Sequence, residues 1–171
     1  MNYNEIINLL KKYNLSPDKN FGQNFLIDNN IILQIASCAK GKNVIEIGPG
    51  LGSLTNELVK VAKKVLCYEI DDKLKPILQN NLSDCNNVEI IFKDFLKANV
   101  FEDIRKYDYR KLYVVANLPY YITTPIIIKF IEDEVPVDKL VVMVQKEVGD
   151  RFKATPNTKD YNSLSIYLNY Y

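Results

Sequence analysis

Glycines and polar residues that could take part in chemistry follow four short apolar runs of the sequence. The first run ends in EIGPGLGSLT, the second ends at Glu69, the third leads to Asp94, and the fourth ends at Asn117 in VVANLPYYI. Glycines let backbone N–H groups approach a ligand closely, and a carboxylate can accept hydrogen bonds from the two hydroxyls of a ribose. These residue types predict a nucleotide-like ligand beside one amide side chain.

The chain contains no histidine, so its chemistry has to work without the commonest general base and without most catalytic zinc sites. Its three cysteines, Cys38, Cys67 and Cys85, have neither the spacing of a zinc cluster nor the even number of a disulfide framework. We therefore expect no metal and a reducing, cytoplasmic location. We expect no signal peptide and no membrane span, since apolar stretches are short.

The spacing of the glycine-rich turn distinguishes two kinds of cofactor. In the dinucleotide pattern G-x-G-x-x-G counted from Gly48, the third glycine would fall on Ser53, whereas this chain has glycine at 52 and proline at 49. Glu46 also precedes the turn, and a carboxylate there would repel a pyrophosphate. The pattern therefore favours S-adenosylmethionine, which is a sulfonium with an amino-acid tail, over NAD.

Alternating strand and helix patterns surround these residues. Five Val- and Ile-rich runs predict buried strands at Val44–Ile47, Val65–Ile70, Val88–Phe92, Leu112–Ala116 and Leu140–Val144. Four segments between and after them predict helices at Ser53–Ala62, Asp71–Asn81, Pro125–Glu134 and Gln145–Phe152, the third with Thr124 as N-cap. Two further helices are predicted at 4–13 and Asn29–Lys40, the second capped by Asp28.

A chain of 171 residues with 47% apolar content is long enough for one domain. The alternation predicts an α/β fold with a mostly parallel sheet covered by helices on both faces. Ligands of such sheets bind beyond the carboxyl ends of the strands, which is where the four chemical groups fall. The net charge of +1 predicts no overall attraction to nucleic acid, so any basic surface must be local.

Six motifs together resemble the ribosomal-RNA adenine N6,N6-dimethyltransferase family. They are FGQNFL, EIGPGLGSLT, YEID, KDFL, NLPYYITTP and QKEVGDR, and the similarity runs from about residue 19 to the last residue. Leu118, QKEV and SLSIYLNYY resemble the branch that modifies small-subunit (16S) RNA. The branch that modifies large-subunit (23S) RNA in macrolide resistance is the alternative. The resemblance implies a Rossmann-like methyltransferase fold, S-adenosyl-L-methionine as cofactor, 16S rRNA of the immature small subunit as partner, and a monomer.

The resemblance also implies roles for individual residues. It assigns cofactor binding to seven residues, namely Asn24, Leu26, Gly48, Gly50, Glu69, Asp94 and Asn117. It assigns catalysis to Asn117, Leu118, Pro119 and Tyr120. The side-chain carbonyl of Asn117 and a backbone carbonyl near residue 118 or 119 would accept the two hydrogens of an adenine amino group, and Tyr120 would stack on the base. Lys146, Arg151 and Lys153 are candidates for contacts with RNA phosphates.

Simpler roles remain open for several of these residues. Asn24 could brace a loop, Glu69 could be an ordinary acid at a strand end, and Asp94 could be a helix N-cap. For the whole chain, the alternatives are an NAD-dependent oxidoreductase, a non-catalytic ribosome assembly factor and a DNA adenine methyltransferase.

The resemblance further implies that residues 1–171 are the catalytic domain only. The family continues through another strand into a helical C-terminal domain, which this sequence does not reach. The alternation in YLNYY predicts that SLSIYLNYY forms a strand with an exposed edge.

Overall fold

The strands form one five-stranded parallel sheet. The computed structural model describes residues 3–16, 25–106, 111–118 and 122–170. The sheet has the order β3-β2-β1-β4-β5, and every neighbouring pair is parallel. The strands are β1 Asn43–Ile47, β2 Lys64–Glu69, β3 Val88–Phe92, β4 Leu112–Asn117 and β5 Lys139–Met143. All five predicted strands are confirmed, with ends that differ by at most one residue.

Eight α-helices lie in the described part of the chain. They are α1 Tyr3–Lys12, α2 Asn29–Ser37, α3 Thr55–Val61, α4 Lys75–Asn81, α5 Val100–Ile104, α6 Thr123–Glu132, α7 Lys146–Lys153 and α8 Ser163–Tyr170. Short 3-10 turns precede α4 at Asp72–Leu74 and α5 at Phe95–Lys97. Among the described residues, no helix is both long enough and apolar enough to span a membrane.

Both faces of the sheet are buried. Alternate residues of β1 divide between them: Ile45 and Ile47 pack in a core that includes residues of α5 and α6, and Val44 packs in a core that includes residues of α2 and α3. A third cluster joins α1 to α4 through Leu10 and Leu78. Burial on both faces explains why the strands read as continuous apolar runs, and the predicted α/β fold is confirmed.

Two predictions about helix N-termini had different outcomes. Asp28 caps α2 as predicted, because its Oδ1 accepts hydrogen bonds from the N–H groups of Asn30 at 2.9 Å and Ile31 at 3.3 Å. The prediction that Thr124 caps α6 is wrong. The helix begins at Thr123 with Ile122 in the cap position and no side-chain cap. Pro125 therefore lies within the first turn, where a backbone N–H has no helical acceptor.

The predicted strand at SLSIYLNYY is wrong, because residues Ser163–Tyr170 form α8. Two side chains account for the helix. Asn162 Oδ1 accepts from the N–H groups of Leu164 at 2.9 Å and Ser165 at 3.3 Å, as an N-cap does. The buried Ser165 hydroxyl then donates to the carbonyl of Arg151 at 2.7 Å, which joins α8 to α7. These contacts stabilise a helix in a segment where the alternation of tyrosines predicted a strand.

Candidate active site at the carboxyl edge of the sheet

The sheet order brings the predicted site residues to one edge. Ile47 of β1 lies beside Tyr68 of β2 on one side and Ala116 of β4 on the other. The glycine turn, Glu69 and Asn117 therefore leave the sheet on adjacent strands. The chain runs outward from β1 through β2 to β3 and then crosses to β4 on the other side. The gap between the ends of β1 and β4 is thus the switch point at which ligands of such sheets bind.

The backbone conformation of the turn favours glycine at positions 48 and 50. Gly48 has φ of 70° and Gly50 has φ of 59°, a region that costs other residues about 1 to 2 kcal/mol. The N–H of Gly48 donates to the carbonyl of Tyr68 at 2.9 Å, which holds the turn against β2. A Cβ on Gly48 would meet nothing within 4 Å, whereas one on Gly50 would lie 3.4 Å from the ring of Phe25. No described residue therefore fills the space over Gly48.

Glu69 links β2 to this turn. Its side chain is buried, with 4% of the residue exposed, and its two oxygens accept from different backbone groups. Oε2 accepts from the N–H of Gly50 at 3.0 Å, and Oε1 accepts from the N–H of Asp71 at 2.9 Å. Burial raises the pKa of the Glu69 carboxyl, and these hydrogen bonds oppose the rise. Glu69 is therefore no ordinary surface acid, because it fixes the turn.

Asp94 acts as a cap at the neighbouring strand end. Its Oδ1 accepts from the N–H of Leu96 at 3.0 Å at the start of the 3-10 turn. Its Oδ2 lies 3.7 Å from the ammonium of Lys97. The capping role that the sequence left open is thus present, and it leaves Oδ2 for a further contact.

The remaining predicted residues fall partly inside the described ranges. Asn117 is the last residue of β4, opposite Met143 of β5, and it is half-buried. Leu118 is buried in the core on the α5 and α6 face, so its side chain does not face the edge. Leu26 is half-buried and packs on the core near α2 and α3. Asn24, Pro119 and Tyr120 lie outside the described residues, and their assigned roles stay predictions.

A buried carboxyl lies beneath the turn. Glu46 of β1 is 1% exposed, and the Cys67 thiol of β2 donates to its Oε2 at 3.5 Å. Burial raises the pKa of Glu46 to about 7. The Thr55 hydroxyl is near enough to lower that pKa, yet it forms no hydrogen bond within 3.5 Å to a described residue. The sequence indicated a cationic ligand beside Glu46, but not the burial of this group between a thiol and a hydroxyl.

Three apolar residues of the edge were missed from the sequence. Phe25 packs against Gly50, although only Asn24 and Leu26 of FGQNFL were predicted to contribute to the site. Ile70 and Leu96 follow Glu69 and Asp94 and are exposed to 45% and 37%. For Ile70 and Leu96, a large apolar side chain one or two positions after an acid at a strand end is the signal that could have identified them. They add apolar surface to an edge otherwise lined by polar groups.

Comparisons with known proteins agree with this arrangement. The family model for "Ribosomal RNA adenine dimethylase" matches residues 14–171. A relative from Clostridioides difficile (strain 630), named "Ribosomal RNA small subunit methyltransferase A", is 51% identical over 99% of this chain and 60% of its own length. This chain thus spans about three fifths of that relative.

Two solved structures share the fold. A dimethyladenosine transferase from Plasmodium falciparum has a TM-score of 0.70 and 32% identity, over 85% of this chain and 52% of its own. The 23S rRNA methyltransferase ErmE has a TM-score of 0.67 and 32% identity, over 85% of this chain and 55% of its own. With the glycine turn, Glu69 and Asn117 on adjacent strand ends and a family model matched over most of the sequence, the chain belongs to the ribosomal RNA adenine dimethylase family.

Proposed function

We propose that this chain carries the catalytic site of a methyltransferase that uses S-adenosyl-L-methionine to dimethylate N6 of two adjacent adenines in small-subunit ribosomal RNA. The observation that carries the proposal is the juxtaposition of Gly48 and Asn117 on either side of the switch point, since Ile47 pairs with Ala116. A cofactor on the glycine turn and a base on Asn117 would meet there. We place this activity in the cytoplasm, on the immature small subunit.

The residues present fit the proposed cofactor. The open space over Gly48 admits the methionine part close to the backbone. Each oxygen of Glu69 accepts one backbone N–H and keeps a lone pair, so both can accept from a ribose hydroxyl. Asp94 Oδ2 can accept from the adenine amino group, and Ile70 and Leu96 offer apolar surface to the ring. When bound, the cofactor supplies an electrophilic methyl group on a positively charged sulfur.

Asn117 would make the adenine amino nitrogen a better nucleophile. The amino nitrogen of adenine is a poor nucleophile, because its lone pair is delocalised into the ring. An Asn117 carbonyl and a backbone carbonyl at 118 or 119 that accept the two N–H groups would draw the nitrogen towards tetrahedral geometry and turn its lone pair to the methyl group. This is positioning with electrostatic stabilisation, which requires no histidine. The proton released afterwards is acidic enough to pass to water.

Basic residues of α7 would contact the RNA beside the site. This helix begins at Lys146, shortly after the carboxyl end of β5, and no residue of it is buried. Lys146, Arg151 and Lys153 are exposed and form no ion pair with a described residue. Their charges are therefore available to phosphates that flank the target base.

Incubation with labelled S-adenosylmethionine and immature small subunits, followed by mapping of the labelled base, tests the proposal. We expect label on N6 of two adjacent adenines of small-subunit RNA. Label on large-subunit RNA would favour the 23S alternative. Cofactor binding without transfer to either RNA would favour a non-catalytic assembly factor, and calorimetric preference for NAD would exclude a methyltransferase site.

A further inference from the structure

The opposite, amino edge of the sheet carries a cluster of lysines that the proposed active site does not use. Lys42 directly precedes β1, Lys64 begins β2, and Lys111 directly precedes β4. Lys40 and Lys63 flank the same strands. These are adjacent strands, so the cluster spans about 10 Å of sheet at ~4.8 Å per strand. We call the five residues, Lys40, Lys42, Lys63, Lys64 and Lys111, the amino-edge cluster.

The backbone beneath the amino-edge cluster is fixed. The N–H of Lys63 donates to the carbonyl of Lys42 at 2.8 Å, and the N–H of Gly41 donates to the carbonyl of Val61 at 2.8 Å. The ammonium of Lys42 lies 5.2 Å from the ring centroid of Tyr113, which holds this charge over β4. Hydrogen bonds between backbone segments therefore fix the positions from which these lysine side chains extend.

Three lysines of the cluster have no acidic partner among the described residues. Lys40, Lys63 and Lys111 are exposed and form no ion pair with a described residue. Asp138, whose N–H donates to the carbonyl of Leu112, is one acid of the described segments near these strand starts. The carboxyl edge differs, because its lysines alternate with acids such as Asp94. At least three exposed lysine charges without an acidic partner among the described residues thus lie along the amino edge.

A structural role explains only part of the cluster. Helices end at this edge, and cations near a helix C-terminus are stabilising. However, the last carbonyl of α3 already accepts from Gly41, and Lys64 and Lys111 belong to strand starts. Lys111 also has φ of 65°, where glycine or asparagine would be less strained. Backbone geometry therefore does not account for a lysine at this position.

We propose that the amino-edge cluster is a second contact surface for phosphates of folded ribosomal RNA. It lies one strand length, about 17 to 20 Å, from the edge that takes the target base. The inference rests on the proposed function, which supplies the RNA, and it adds that the RNA passes along two opposite edges of the sheet. An acidic protein is the other partner that such a surface would fit.

Binding to deproteinised small-subunit ribosomal RNA tests this inference without any methyl transfer. The variant Lys40→Gln/Lys63→Gln/Lys111→Asn should bind about tenfold more weakly at low salt, and the slope of log affinity against log salt should fall by about 2, since each phosphate contact contributes ~0.7 to 0.9. Cofactor affinity should not change. Replacing Lys40 and Lys63 by arginine should retain RNA binding.

Two controls separate the cluster from net charge and from folding. Lys11→Gln/Lys12→Gln/Lys159→Gln removes the same charge elsewhere and should weaken RNA binding less than about threefold. Lys111→Asn alone should leave thermal stability equal or higher and still weaken RNA binding. Equal losses in both triple variants, or no loss in the cluster variant, would overturn the inference. Wild-type protein that binds RNA but transfers no methyl group would instead contradict only the proposed function.

Discussion

At the scale of single residues, folding disfavours the ionised form of the Glu46 carboxyl. It is buried between Cys67 and Thr55 with no cation beside it among the described residues, and burial raises its pKa to about 7. In the unfolded chain its pKa returns to about 4.5. Below that value both states hold the proton, and above about 7 both have lost it. Stability is therefore lost as the pH rises from about 4.5 to about 7.

We predict that Glu46→Gln makes the free energy of unfolding less dependent on pH between about 4.5 and about 7. A shift from 4.5 to about 7 corresponds to a loss of about 3 kcal/mol on ionisation, so the variant should be more stable than wild type at pH 8 and nearly equal to it below pH 5. Urea unfolding at the two pH values measures the difference. Glu57→Gln, which removes an exposed acid paired with Lys60, is the control and should leave the pH dependence unchanged. A parallel pH profile in Glu46→Gln would contradict the assignment.

A second prediction at this scale separates the role of Asn117 on β4 from that of Glu69 on β2, the two strands that flank β1. Asn117→Ala should lower methyl transfer by about a hundredfold or more, because it removes an acceptor that acts on the reacting nitrogen. It should leave most of the cofactor affinity intact. Glu69→Ala should instead weaken cofactor binding, since it removes the ribose acceptor and the support of Gly50. Single-turnover rates and calorimetry measure the two effects, and identical profiles for both variants would refute the division.

At the scale of elements, the glycine turn has a matched counterpart elsewhere in the chain. Gly48 has φ of 70° and Gly41 has φ of 69°, and a Cβ on either would meet nothing within 4 Å. The backbone strain of an alanine should therefore be similar at both positions, about 1 to 2 kcal/mol. Only Gly48 lies at the carboxyl edge.

Alanine at these two positions tests whether the space over the turn is used. Gly48→Ala and Gly41→Ala should lower stability by comparable amounts, as measured by urea unfolding. Gly48→Ala should in addition weaken S-adenosylmethionine binding, because its methyl group enters the space proposed for the methionine part. Equal cofactor affinities in the two variants would show that the space is not a binding site.

The sequence predicted these elements unevenly for physical reasons. Strands of a sheet that is covered on both faces produce Val- and Ile-rich runs, even in the edge strands β3 and β5 where most residues are only partly buried, so all five were found. The helix at Ser163–Tyr170 was missed, because a capping Asn162 and the contact of Ser165 with α7 leave little trace in hydrophobic periodicity. The location of the site residues at the carboxyl edge could be predicted from the parallel topology. The hydrogen bonds of Glu69 could not be predicted, since they depend on the turn conformation.

At the scale of the whole molecule, the site residues lie at or just after the ends of four adjacent strands and belong to no single segment. A ligand that contacts all of them can bind only the folded chain, so it should stabilise the fold. S-Adenosylmethionine at a hundred times its dissociation constant should add about 2.7 kcal/mol, which is a rise in melting temperature of about 5 to 10 °C. NAD at the same concentration should add nothing. Thermal unfolding with each ligand measures this, and equal shifts would contradict the preference.

The bond from Gly50 to Glu69 has a consequence for slow local motion. An amide in an irregular loop usually exchanges its hydrogen with deuterated water quickly, but this one is donated to a buried carboxylate at 3.0 Å. The bond thereby ties the turn after β1 to the last residue of β2. Gly50 should consequently show the protection of a strand residue, and the turn would open to solvent only when the end of β2 does.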